Sequence, residues 1–116
     1  MTQQPAQGNG ANEDLRKFTE VDRLIHEPAR LLIVSILYAV EKVDFLFLLR
    51  ETGLTKGNLS AHLAKLESAG YIEIEKTFRG KIPQTLIALT ADGRAAFETY
   101  RKQLANIVTK LSEEPK

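Results

Sequence analysis

Asn58, Ala61 and Lys65, flanked by Lys56, Ser60 and His62, are the residues whose types and spacing could do recognition chemistry in this chain. They fall on one side of the stretch from Leu54 to Ile72. On the other side Leu59, Leu63 and Leu66 recur at i, i+4 and i+7, striping one helical face with leucine. The polar side offers amide, hydroxyl, imidazole and ammonium groups, and no acid interrupts it before Glu67. Thr55 stands where a hydroxyl can cap the free N–H groups of a first turn. Gly70 stands where a helix ends in the left-handed region. Such a helix buries its leucines and presents a thin polar edge to a duplex groove.

Other chemistries find little material. His26 and His62 are the only histidines, too far apart in the pattern to share a metal, and there is no cysteine. Ser60 and His62, two residues apart, point to different sides of a helix and make no catalytic pair. No Gly-rich phosphate loop, paired-carboxylate pocket or zinc spacing is present. Neither enzymatic activity nor a cofactor is expected.

The chain has 116 residues, room for one domain with a modest core. Hydrophobic residues make up 43% and charged residues 27%, the balance of a globular protein. The formal net charge is only +1, so affinity for a polyanion must come from a local cluster of lysine and arginine. The longest apolar run, Leu31 to Val40, is too short for a membrane span of ~20 residues. Met1 to Asn12 has no apolar core of a signal peptide. A cytoplasmic protein is expected.

Four kinds of segment must position the polar helix. Residues 1–12, rich in Gln, Gly and Asn, are expected to be a disordered tail. A domain is expected over 13–112. Leu15, Phe18, Val21 and Ile25 predict a helix over 13–25. Pro28 suits the first turn of the next, and Ala29 to Glu41 is so apolar that a central, buried helix is expected. Asp44 can cap a helix over 45–52, with Phe45, Leu46, Leu48 and Leu49 buried, and Gly53 can end it. Strands are predicted over 71–78 and 84–89, with Lys76, Arg79 and Lys81 gathered at the hairpin tip. Thr90 can cap a last helix over 91–111. There Phe97, Tyr100, Leu104, Ile107 and Leu111 follow 3, 4, 3, 4 spacing, that of a seam between two helices. The last helix would be roughly 30 Å long, more than one small domain covers, and a homodimer is expected.

The run Leu-Thr-x-x-x-Leu-Ser-x-His-Leu-x-x-Leu-Glu-x-x-Gly-Tyr-Ile, with the basic hairpin and Leu89-Thr90-Ala91-Asp92-Gly93 after it, resembles the winged helix-turn-helix transcriptional regulators. It is most similar to the small dimeric ones of the arsenical-resistance (ArsR) and multiple-antibiotic-resistance (MarR) types, over about Val21 to Leu111. The resemblance implies a mainly α fold with a small β-hairpin (α+β), dimerised through N- and C-terminal helices. It implies a recognition helix, about 55–69, in the major groove of double-stranded DNA. Lys56, Gly57, Asn58 and Ala61 would then face base edges, and Thr55, Ser60, His62 and Lys65 would lie near phosphates. The wing, 76–83, would bring Lys76, Arg79 and Lys81 to the backbone or minor groove. Without cysteine the chain departs from the metal-sensing members. A small-molecule effector is compatible with the resemblance. His26, Arg30 and Tyr38 could line its cleft, although a structural role suits them better.

Two readings follow. One is a dimeric sequence-specific regulator, most simply a repressor. The other is a winged-helix module that binds a protein and has no DNA specificity. The acid-free row of Lys56, Lys65, Arg79 and Lys81 favours DNA.

Overall fold

Pro28 has no N–H to leave unpaired and a φ already set for a first helical turn, so α1 (Pro28–Ala39) begins there. Glu27 before it is extended, at φ −150° and ψ 131°, and its carboxylate accepts from the Arg30 N–H at 2.7 Å. That bond to the charged form holds the Glu27 carboxyl below its ordinary range. The computed structural model describes residues 20–113.

The helix predicted over 13–25 falls partly outside the described residues. Where it can be checked it is corrected: Arg23 to Glu27 form turns and bends. The cause is local, because Asp22 Oδ1 accepts from the N–H groups of Leu24 (2.9 Å) and Ile25 (3.2 Å) and so competes with helical pairing. Val21 and Ile25 are nevertheless buried.

A short strand, β1 (Val43–Asp44), leads into α2 (Phe45–Thr52), whose cap is Asp44 accepting from the Phe47 N–H at 2.7 Å. Gly53 ends α2 at φ 71°, a conformation that lets the chain turn sharply into the next helix. Then follow α3 (Lys56–Ser68), β2 (Ile72–Arg79), β3 (Ile82–Leu89) and α4 (Ala91–Ser112). The three strands form one antiparallel sheet in the order β1-β3-β2. Ile74 pairs with Ile87 on one side of β3, and Val43 pairs with Ile87 on the other. Among the described residues, four helices and this sheet make the α+β winged-helix fold.

The core gathers Ile33, Val34 and Leu37 of α1, Leu48 of α2, the three leucines of α3, Ile72 and Ile87 of the sheet, and Phe97 and Tyr100 of α4. Two sequence expectations are revised. α1 is not covered all round, since Leu32 (42%) reaches solvent, and it stops at Ala39, leaving Val40 (38%) exposed beyond its end. On α2, Leu46 is 59% exposed and Phe47 packs against the core instead. Among the described residues no helix is long and apolar enough to cross a membrane.

Candidate nucleic-acid interface

Burial of the leucine stripe fixes how α3 is rotated. Leu59 and Leu66 are fully buried and Leu63 nearly so. Each contributes about 1.5–3 kcal/mol of apolar burial, enough to hold the helix against rolling. Thr55 caps it as the sequence predicts, its hydroxyl accepting from the Asn58 N–H at 3.1 Å. The opposite side is left to water: Thr55, Lys56, Gly57, Asn58, Ser60, Ala61 and Lys65 are all exposed.

His62 differs from these. It is half-buried, and its Nδ1 lies 3.1 Å from Nη1 of Arg30. Arg30 also donates from Nε to the Leu24 carbonyl at 2.6 Å. The imidazole therefore ties α3 to α1, and Arg30 is a contributor to the site that the helical pattern alone did not mark. Arg30, His26 and Tyr38 are all engaged within the chain. His26 Nδ1 is 2.7 Å from the Tyr100 hydroxyl, and the Tyr38 hydroxyl donates to Glu98 at 2.9 Å.

The hairpin turn is tighter than the sequence suggests. β2 and β3 pair all the way to Arg79 and Ile82, so only Gly80 and Lys81 connect them. Gly80 at φ 66° followed by a residue of negative φ is the pattern of a type II′ turn, which matches the twist of the two strands. Pro83 is accommodated because β1 reaches only Leu86 and Ile87, leaving that edge of β3 free of a partner. Lys76, Arg79 and Lys81 are exposed. The acids of the wing sit towards its base, and Glu75 there meets Lys42 at 3.4 Å. Between α3 and the wing runs a groove of about 440 Å³, with Ser60 and Glu67 on one wall and Lys76 and Thr85 on the other.

The wing is anchored at its root. The Tyr71 hydroxyl donates to Asp22 Oδ2, and this bond is the main reason that the phenol is pushed up to about 12. Thr90 caps α4, accepting from the Gly93 N–H at 3.0 Å, while its own hydroxyl donates to the Gly70 carbonyl at 2.6 Å. Helix α3, the wing and the last helix thus meet at one small cluster of hydrogen bonds.

The profile of the winged helix DNA-binding domain matches residues 29–108. The chain belongs to that family. Its members are DNA-binding regulators, not enzymes, and among the described residues no group of three or more potential metal ligands occurs. The chain is similar to an uncharacterised protein of Methanocaldococcus jannaschii, 37% identical over 79 residues, which cover 67% of this chain and 85% of that one. Its structure is similar to that of a transcriptional regulator homologue from Pyrococcus horikoshii OT3. There the TM-score is 0.79 at 25% identity, covering 87% of this chain and 99% of the other. A MarR-like transcription regulator from Bacillus cereus shares the fold, with a TM-score of 0.62 at 18% identity over 92% of this chain and 81% of its own.

The seam expected on α4 divides. Phe97 (6%) and Tyr100 (1%) are spent on the chain's own core, and Ile107 (7%) is also buried. Leu104 is half-buried against that core, whereas Val108 (54%) and Leu111 (67%) stay exposed. Heptad spacing alone does not distinguish a helix packed on its own domain from one packed on a second copy.

Proposed function

We propose that this winged-helix protein is a homodimeric, sequence-specific transcriptional regulator, acting most simply as a repressor that occludes promoter DNA in the cytoplasm. The observation that carries the reading is the exposed row Lys56, Gly57, Asn58 and Ala61 on a helix whose rotation is locked by three buried leucines. Gly57 and Ala61 permit close approach to base edges and thymine methyls, and the Asn58 amide can pair with adenine. Thr55, Ser60 and Lys65 would flank this row at phosphates, with His62 set back by its bond to Arg30. Lys76, Arg79 and Lys81 would extend the contact through the wing.

The working unit is proposed to run over 13–112, with the distal part of α4 as the dimer element. α4 has 22 residues and continues past its last core contacts with Val108 and Leu111 uncovered. Two heads joined in this way read two half-sites about one helical turn apart, and the pairing gives the operator its length.

A gel shift with the DNA upstream of the chain's own coding sequence, at two salt concentrations, tests the reading. A retarded complex that outlasts excess unrelated duplex supports it. No complex with any duplex, even at low salt, rejects it and favours protein binding through the same face.

A further inference from the structure

Beyond Gln84, whose amide still donates to Asp44 Oδ2 at 3.3 Å, the hairpin leaves the body of the protein. A turn that was merely solvated would carry polar residues there. Instead Phe78 is 67% exposed and Ile82 is 68% exposed, among the most exposed large apolar side chains described. Alternation along β2 puts Phe78 on the same side as Ile72, Ile74 and Lys76, with Pro83 as its cross-strand partner. Ile82 pairs with Arg79 on the other side. The tip is therefore apolar on both faces while Arg79 and Lys81 ring it, and residues 76–83 include no acid.

We propose that Phe78, with Ile82 behind it, is a wedge that enters the minor groove, partly unstacks one base step and kinks the duplex. This rests on the DNA-binding reading above and adds to it a bent operator and a preference for easily unstacked steps. Three features select duplex DNA as the occupant. The cationic, acid-free rim complements a polyanion. The hairpin narrows to the two-residue turn Gly80-Lys81, so that single side chains at its tip, not the whole ribbon, can enter a minor groove of ~6 Å. The same polyanion is the proposed occupant of the adjoining face of α3. An anionic membrane would ask for a broad apolar face, and here two side chains point to opposite sides of a thin ribbon. Apolar side chains in the minor groove unstack steps and bend DNA by about 20–90° toward the major groove, with pyrimidine–purine steps yielding most readily.

The test uses the full chain, duplexes that the wild type recovers from a randomised pool, and the double variant Phe78→Thr with Ile82→Thr, which keeps strand-forming residues in the hairpin. End-to-end energy transfer across the duplex reads the bend, and 2-aminopurine placed along the site reads unstacking. The wild type should shorten the end-to-end distance and brighten 2-aminopurine at one step per wing. The double variant should lose both signals while keeping its thermal midpoint. Phe78→Leu, which retains an apolar wedge, should keep the bend. A wild type that binds its duplexes without bending or unstacking them overturns the wedge and leaves the DNA-binding reading intact. So does a double variant that bends DNA as the wild type does. Binding of phosphatidylglycerol vesicles that the double variant loses, with DNA left straight, assigns the tip to membranes and also overturns it. Failure to recover any duplex rejects the DNA-binding reading itself, and the wedge with it.

Discussion

Arg30 Nη1 and His62 Nδ1 meet at 3.1 Å, joining α1 to the middle of α3. A guanidinium only donates, so His62 accepts at Nδ1 and carries its proton on Nε2. The same arginine donates to the Leu24 carbonyl, and one side chain thereby positions α3 against both α1 and the turn that precedes it.

Arg30→Ala should weaken DNA binding although Arg30 lies behind the reading face. It should also destabilise the fold by ~1–3 kcal/mol, because the half-buried acceptors lose their donor. The salt dependence of binding separates positioning from phosphate contact. An unchanged slope with reduced affinity is expected, whereas a flatter slope would make Arg30 a phosphate ligand.

Val108→Asp together with Leu111→Asp should give monomers and abolish tight operator binding, with the fold retained because both residues are exposed within one chain. Leu104→Asp should also disrupt the dimer, but its contact with the core adds a stability cost. Sedimentation of wild type and variants at micromolar concentration is the check. A monomeric wild type would contradict the dimer.

Alkali should loosen the root of the wing. The Tyr71 phenol stays neutral up to about 12 in the fold, against 10 for an ordinary tyrosine, because its proton is held by Asp22. A raised folded value contributes stability that is whole below pH 10 and is lost as the pH rises towards 12. Thermal midpoints between pH 9 and pH 12 should therefore fall more steeply for the wild type than for Tyr71→Phe. Parallel curves would remove the Asp22 bond from the account.

Two glycines should respond in opposite ways to alanine. At Gly93 a Cβ would overlap the carbonyl oxygen of Tyr71 and sit 2.8 Å from its carbon, so Gly93→Ala should cost ~1–3 kcal/mol. At Gly57 nothing lies within 4 Å, and Gly57→Ala should stabilise the helix by up to ~1 kcal/mol. If Gly57 faces base edges, the more stable variant should bind its operator less tightly. Denaturant midpoints and operator affinities measured together decide both.

Much of this fold is legible in the sequence because its signals are local. Asp44, Thr55 and Thr90 are caps whose hydroxyl or carboxylate acts three residues ahead, and all three do so. The leucine stripe of α3 specifies its buried face directly. Other features depend on what the chain meets in space. Val43 and Asp44 are too few to show a period, and only pairing with Ile87 and Leu86 makes them a strand. Leu46 and Phe47 compete for the same core, and composition does not say which wins. At the tip, Phe78 shares a face with the core residues Ile72 and Ile74, and its exposure follows only from where the core ends in space. His62 has the chemistry of a phosphate contact, and its tether to Arg30 depends on a residue 32 positions away.

One side of α3 is proposed to read bases while its flank holds phosphates. Operator and non-specific affinities of Asn58→Ala and Lys65→Ala, measured across a salt series, test this most directly. Asn58→Ala should lose ~1–3 kcal/mol on the operator alone and relax preference at one base pair. Lys65→Ala should weaken binding to all duplexes alike and reduce the salt slope by about one. Equal losses of specific and non-specific binding in both variants, with the same change in slope, would contradict the assignment of faces on this helix.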